Sequence, residues 1–374
     1  MKKVLILTDY YEPHKSGIVT IINQIKERLN ERDIKIIILT GKLNPSEKKF
    51  TRINKNLLII KSKRSFNLSR GFYSFSMVKD FFFISKKVDT INIHFPISII
   101  FPILFLTRKP FITNYHCNPP FKLTLIDIII YLYFYIFGIL TIIKSYKICI
   151  LTKDYFKNML FFKLFRNKIH EVRPYSEIIN FNSIKNNYVL EKDKIPIIGY
   201  LGRISEEKGL LQLISASSML SNEGFNHKLI IAGNFKDNRF LNYINKIKIE
   251  SQKNNFIYIL ESISENEKKE FYKKINILIL PSINSFEAFG LVQLEAMSAG
   301  NLVISTNLKG VRMPINKTNN GKIINNPRDI YEIAQVIKAT SKVALNTRQN
   351  DIIKNLNIHF NKKKYQKKID LIFN

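Results

Sequence analysis

The chain has 374 residues, 45% of them apolar, with 59 Lys and Arg against 29 Asp and Glu and a formal charge of +30. That apolar content, with only 13 Gly and 12 Pro, excludes disordered, collagen-like and low-complexity chains. The length suits two domains, each with a core of its own. Cys117 and Cys149 are too few for a disulfide framework or a four-cysteine zinc site, and they suit a reducing cytosol. After Met1-Lys2-Lys3 the apolar run Val4 to Leu7 stops at Thr8-Asp9, far short of a secretion signal.

In chain order, short apolar runs bounded by turn residues predict buried parallel strands at Val4 to Leu7, Ile34 to Leu39, Leu57 to Ile60, Thr90 to Ile93, Phe111 to Asn114 and Ile148 to Leu151. Helical patterns lie between them, as at Ile18 to Leu29, where apolar residues at 18, 21, 22, 25 and 29 share one face. The layout repeats at Ile197 to Tyr200, Lys228 to Ala232, Phe256 to Leu260, Ile277 to Leu280 and Leu302 to Thr306. Alternating strands and helices predict an α/β chain of two doubly wound domains, residues 1–182 and 183–355. The Asn- and Lys-rich stretch Asn180 to Lys194 is the expected hinge, and a helix over 356–374 is expected to pack back toward the N-terminal domain.

The segment Leu123 to Ile143 carries one charged residue, Asp127, and aromatic residues at 131, 133, 134, 135 and 137. It is long enough to span a bilayer, but a span there would split one sheet across the membrane. The expectation is a core helix that also touches lipid. The net charge is +19 over residues 1–185 and +11 over 186–374, so an anionic partner belongs mainly to the first half. Nucleic acid, anionic lipid and a phosphate-bearing substrate all fit that charge. No nucleic-acid-reading motif is present, which sets the first aside.

The chemistry concentrates after two strands of the second half. Following Ile277 to Leu280 runs Pro281-Ser282-Ile283-Asn284-Ser285-Phe286-Glu287-Ala288-Phe289-Gly290-Leu291-Val292-Gln293-Leu294-Glu295. With a helix starting near Phe289, Glu287 lies in the loop before it and Glu295 in its second turn. Backbone N–H groups of Phe289, Gly290 and Leu291 at such a start attract an anion, and Gly290 permits close approach. Ionised carboxylates only accept hydrogen bonds, so Glu295 suits a ribose diol and Glu287 sugar hydroxyls. Following Ile197 to Tyr200 runs Gly202-Arg203 to Lys208-Gly209, whose two cations can neutralise a departing diphosphate.

These motifs resemble the retaining, GT-B fold glycosyltransferases of family 4, and the likeness extends over nearly the whole chain. The resemblance implies two Rossmann-like domains facing each other across a cleft and a metal-independent hexosyl transfer with retention. It implies that Glu287 contacts the donor sugar and Glu295 the ribose, while Gly202-Arg203 and Lys208-Gly209 bind the donor diphosphate. Pro13-His14-Lys15-Ser16-Gly17 resembles the family's N-terminal glycine loop, with Ser16 in place of its first glycine and Gly17 left to approach donor and acceptor. His116 matches the family histidine that reaches the donor sugar, and His94 a second recurrent histidine. Two segments depart from the family pattern: Pro174-Tyr175-Ser176-Glu177-Ile178 and Lys309-Gly310-Val311-Arg312-Met313.

On this reading the partners are a nucleotide-diphosphate sugar and a saccharide acceptor linked to polyprenyl diphosphate. No cofactor or metal is expected; the chain contains no Asp-x-Asp. A place in capsule, O-antigen or exopolysaccharide synthesis follows from the same resemblance, and the basic first half with the aromatic segment Leu123 to Ile143 suggests the inner face of the cell membrane. A sugar epimerase or phosphorylase on the same scaffold is the alternative. Basic-aromatic stretches at Lys79 to Lys87 and Phe161 to Arg166 are candidate contacts with an anionic leaflet.

Overall fold

A computed structural model describes residues 1–68, 71–118, 125–157, 159–179, 195–344 and 347–374. Contacts divide the chain into two compact units, Met1–Arg173 with Lys363–Asn374, and Pro174–Lys362. The expected hinge, Asn180 to Lys194, lies outside the described residues.

The first unit opens with β1 (Lys3–Leu7), α1 (Gly17–Glu31), β2 (Lys35–Gly41), β3 (Phe50–Asn54), β4 (Leu57–Ser62), β5 (Phe66–Leu68) and β6 (Gly71–Tyr73). It continues through α2 (Phe75–Ser85), β7 (Thr90–Phe95), α3 (Ile100–Leu106), β8 (Phe111–Tyr115), α4 (Leu125–Lys144), β9 (Ser145–Ile150), α5 (Lys153–Phe156), α6 (Leu160–Leu164) and β10 (Ile169–Glu171). Eight strands form one sheet in the order β10-β9-β8-β7-β1-β2-β4-β3. All its pairs are parallel except β3 on β4. Val4, Leu5, Ile6 and Leu7 are fully buried, as a strand covered by helices on both faces requires.

Each of the six strands expected in this half is present. Four more among the described residues, β3, β10 and the two strands of the hairpin β5–β6, were not expected, because they are short and lie at sheet edges or outside the main sheet. The exposed pattern of β3 shows why: Phe50 and Ile53 face solvent, so no buried apolar run marks it.

Within this unit α4 is not a core helix. It is long and apolar enough to cross a membrane, yet only 17% of its Asp127–Lys144 window is buried. Leu125, Ile129, Tyr135, Ile136 and Ile143 are exposed. Its other face rests on α3 and β7: Phe137 meets the Phe101 ring at 5.0 Å, Phe134 meets Phe95 at 6.0 Å, and the Tyr133 hydroxyl donates to the Ser98 carbonyl at 2.8 Å.

The second unit contains β11 (Ile197–Leu201), α7 (Leu210–Asn222), β12 (Lys228–Gly233), α8 (Leu241–Gln252), β13 (Ile257–Glu261), α9 (Glu265–Lys274) and β14 (Ile277–Leu280). Then come α10 (Val292–Ser298), β15 (Leu302–Thr306), α11 (Met313–Thr318), β16 (Gly321–Ile324), α12 (Ile330–Ala344) and α13 (Gln349–His359). Its six strands are all parallel, in the order β13-β12-β11-β14-β15-β16. The short edge strand β16 was not expected from the sequence.

The segment 356–374, expected as one helix, is broken at the buried Phe360. Residues up to His359 finish α13, and α14 (Lys362–Phe373) follows. From Lys363 onward α14 belongs to the first unit. There Tyr365, Ile369, Ile372 and Phe373 are buried, and Asp370 accepts both Nε (2.9 Å) and Nη2 (2.6 Å) of Arg28 on α1.

Candidate active site

In each sheet the chain winds outward from a central strand, returns and winds the other way, and loops at the carboxyl ends of the two strands flanking that switch point form a natural ligand site. In the second unit those strands are β11 and β14, which pair through Ile198 with Ile277 and Gly199 with Leu278. The loops leaving them, 202–209 and 281–291, are the two that carry the sequence motifs. A backbone hydrogen bond from Ile283 N–H to the Glu207 carbonyl, 2.9 Å, fastens one to the other.

This arrangement brings Lys208 and Glu287 together: the Lys208 ammonium donates to the Glu287 carboxylate. Both side chains are about four-fifths buried, at 16% and 17% exposure. Lys208 is therefore not an isolated cation awaiting phosphate, as the sequence suggested. Its ammonium has three donors, and two of them remain after the Glu287 contact. Arg203 likewise lies 3.7 Å from the buried Glu207, and its carbonyl accepts the Tyr200 hydroxyl at 2.7 Å. Gly202 begins this loop, its N–H donating to the Ala232 carbonyl.

Gly209 closes the loop with φ +67°, a backbone region that favours glycine, and a methyl group on its Cα would stand 2.2 Å from the Pro281 carbonyl oxygen. It is this close passage that seats Lys208 beside the second loop.

The second loop differs from expectation at its helix. α10 begins at Val292, three residues later than expected, so Glu295 lies in its first turn and not its second. The delay follows from Gly290, whose φ of +76° turns the chain before the helix can propagate. Phe289 is buried and packs on Phe360 at 6.2 Å, so its ring serves the core and only its backbone faces the loop. Gln293, fully buried, pins this turn by donating to the carbonyls of Phe289 (2.8 Å) and Val311 (2.9 Å). The divergent segment 309–313 thus supplies a main-chain acceptor. The Leu291 carbonyl accepts the Glu295 N–H at 3.2 Å.

Glu295 is held by two residues the sequence reading missed. Lys268 donates to it at 2.8 Å and the Tyr272 hydroxyl at 2.7 Å. Burial and the Glu295 carboxylate push the Tyr272 phenol well above its ordinary value, so it stays a donor. Lys268 and Tyr272 stand four apart on one face of α9, a spacing visible in the sequence but common to any helix. The other divergent segment packs on the far end of α10, where the Ser176 hydroxyl reaches that of Ser298 at 3.1 Å.

In the first unit the switch point lies between β1 and β7, and the loops after these strands meet. Asp9 accepts from the Ser98 N–H (3.0 Å) and hydroxyl (2.8 Å). Burial pushes the Asp9 carboxyl up to about 7 against the opposing pull of Ser98 and Arg64. A raised carboxyl stabilises the fold fully below its ordinary value of 3.8, and that contribution is lost as pH rises toward about 7. Asp9→Asn is therefore expected to gain thermal stability relative to wild type as pH climbs from about 4 to 7, measured as paired Tm values; a difference that stays flat across this window contradicts it.

Ser16, standing where a glycine was expected, caps α1: its hydroxyl accepts the Val19 N–H at 3.4 Å, and Gly17 is the first helical residue. His116 follows β8 directly and is buried, its Nε2 2.9 Å from Nδ1 of the equally buried His94. Burial pushes the His116 imidazole down to about 3, so it is neutral at physiological pH.

Residues 182–356 match the model of the family described as Glycosyl transferases group 1. Among curated proteins, a capsular polysaccharide biosynthesis glycosyltransferase, CapM, of Staphylococcus aureus is 27% identical over 149 residues, 40% of this chain and 34% of that protein. The chain spans about a third of the length of the curated relatives it matches. Among solved structures, a sucrose-phosphate synthase from Thermosynechococcus elongatus superposes with a TM-score of 0.77 at 14% identity, over 100% of this chain and 98% of that one. HepE from Anabaena, in complex with UDP and glucose, gives 0.72 at 14% identity over 99% of both chains. The chain thus has the GT-B fold of two Rossmann-like domains, and its residues 182–356 are similar to the glycosyl transferases group 1 family.

Proposed function

We propose that the protein transfers a hexose, with retention of anomeric configuration, from a nucleotide-diphosphate sugar to a hydroxyl of a saccharide linked to polyprenyl diphosphate, in surface-polysaccharide synthesis. The observation that carries this reading is the Lys208–Glu287 contact across the two loops of the second switch point. It anchors a carboxylate beside a cation that retains two donors. The carboxylate suits sugar hydroxyls, and the ammonium suits the diphosphate oxygens on which negative charge builds as the glycosidic bond breaks. Glu295, with two of its acceptor positions taken by Lys268 and Tyr272, keeps lone pairs for a ribose diol. Arg203 adds a second cation, and the Gly202 and Gly290 backbones provide close approach. Gly17 and His116 serve the sugar and acceptor side. No metal or cofactor enters the scheme.

Two similar proteins support the substrate class: CapM of Staphylococcus aureus acts in capsular polysaccharide biosynthesis, and HepE from Anabaena binds UDP and glucose. The exposed apolar face of α4 supports a lipid-linked acceptor. With the exposed Lys86 and Lys87 just after α2 and Lys163 on α6, it suits docking on the anionic cytoplasmic leaflet.

Screening the purified protein against UDP-, GDP- and TDP-sugars by thermal shift and donor hydrolysis tests the reading. One donor is expected to raise Tm in wild type and to lose that effect in Glu287→Gln and Arg203→Ala. Stabilisation by no donor, or equal stabilisation of both variants, overturns it.

A further inference from the structure

Arg64 lies two residues beyond β4, where the carboxyl ends of three neighbouring strands are fastened together. The Gly41 N–H at the end of β2 donates to the Asp9 carbonyl after β1 at 3.2 Å, and the Lys42 N–H to the Ser62 carbonyl at the end of β4 at 2.9 Å. The hairpin β5–β6 folds the fully buried Phe72 onto this junction, so closely that its ring fills the space a side chain on Gly41 would need. The Arg64 guanidinium sits over that ring at 4.4 Å and over the Tyr10 ring at 5.3 Å, while Tyr10 meets Phe72 edge to face at 5.4 Å. Two rings, one of them wedged against the sheet, thus hold the face of the guanidinium.

Its edge is different: Nε and Nη2 are buried and have no hydrogen-bond partner among the described residues. These two nitrogens point their N–H groups the same way, as a fork that matches two oxygens of one anion. The chain uses that fork elsewhere. Arg28 grips both oxygens of Asp370 through Nε and Nη2, and Arg239 grips both oxygens of Asp237. Near Arg64 the acid that feels its charge is Asp9, but the Asp9 oxygens are taken up by the Ser98 N–H and hydroxyl. Burial also favours the uncharged form of Asp9, which weakens it as a counter-ion. A buried cationic donor left unpaired is costly, and an anion seated on the fork removes that cost.

We propose that the Nε–Nη2 edge of Arg64 is an oxyanion site, lying wholly within the first unit, that takes two oxygens of a phosphate or carboxylate group side-on. Arg64 as a whole is only half-buried, so its guanidinium borders solvent. The site needs no donor sugar. Only the identity of its natural occupant rests on the proposed function: an anionic group on the saccharide acceptor, either its phosphate or the carboxylate of an acidic sugar.

The full chain, labelled with nitrogen-15 at arginine, tests the site directly. The Nε–H signal of Arg64, assigned by its loss in Arg64→Lys, is expected to shift and saturate on titration with methyl phosphate or with acetate, and to stay in place with chloride at equal ionic strength. Saturation by methyl phosphate alone assigns a phosphate occupant and by acetate alone an acidic sugar; saturation by both supports the shared oxyanion chemistry. The shift is expected to persist in Lys208→Met, which removes a cation of the second unit. A signal that neither anion moves, or that chloride moves equally, overturns the proposal and leaves a buried water as the partner of the fork. A shift lost in Lys208→Met overturns it as well, by placing the anion in the second unit. In transfer assays Arg64→Lys, which keeps the charge and loses the fork, is expected to raise the KM for acceptor roughly 10-fold or more with the donor KM unchanged. A saturating shift beside an unchanged acceptor KM leaves the site standing and overturns its assignment to the acceptor. That shift beside no transfer at all places the failure in the proposed function instead.

Discussion

Lys208→Met is expected to lower kcat/KM for sugar transfer by roughly 10²- to 10³-fold, the usual consequence of removing one donor aimed at developing charge. Two effects combine. The diphosphate loses a cation at its departure, and Glu287 loses the ammonium that fixes its carboxylate. Initial rates should therefore fall mostly through kcat, since charge on the leaving group grows toward the transition state. Glu287→Gln is expected to cost a comparable factor, and the double variant much less than the product of the two, because the side chains touch and act as a unit. Fully multiplicative losses would show that the contact has no part in transfer. Thermal melts of the same variants separate a loss of chemistry from a loss of fold.

The second large effect is structural. Gly209→Ala is expected to destabilise the second unit by about 3 kcal/mol or more, combining left-handed backbone strain with a clash against a main-chain carbonyl that cannot rotate away. For a unit of this size that corresponds to a fall in Tm of roughly 6–12 °C. Donor-induced stabilisation should vanish along with it, since relief of the clash requires the two loops to part and so separates Lys208 from Glu287. A variant that melts within about 2 °C of wild type would falsify this account of the loop. Gly290→Ala is a useful contrast. Its added methyl would meet the Leu280 side chain at 2.4 Å, and a side chain can shift where a backbone carbonyl cannot.

What the sequence disclosed follows from what each residue needs from its neighbours. The strands buried on both faces, such as Ile277 to Leu280, announce themselves as unbroken apolar runs because nothing polar is tolerated there. The edge strands β3 and β16 escaped notice because one side of each faces water and their pattern is mixed. In the site, Glu287 and Lys208 were legible from the motif-bearing loops that follow β14 and β11, and Glu295 from its place eight residues after Glu287 on the helix that follows. Their partners were less visible. Lys268 and Tyr272 reach Glu295 from a helix more than twenty residues upstream, and only tertiary packing brings them there. The link from His94 to His116 depends on the register of β7 against β8, where His94 stands opposite Asn114. A single sequence carries no sign of that register. The start of α10 was misjudged because the apolar pattern continues through Phe289, whereas the backbone waits for the turn at Gly290.

The first unit is discontinuous: residues 1–173 are completed by 363–374, with the whole second unit spelled out between them. Its last helix contributes four buried side chains and the carboxylate that grips Arg28. During synthesis, the first unit must therefore wait with an uncovered apolar surface while the ribosome makes a second, self-contained unit. Vectorial folding consequently runs in an unusual order, with the unit that starts first finishing last. A translation stall between residues 173 and 363 leaves the early unit incomplete. Such truncated chains are natural clients for holding chaperones, even when every residue of their eight-stranded sheet is present.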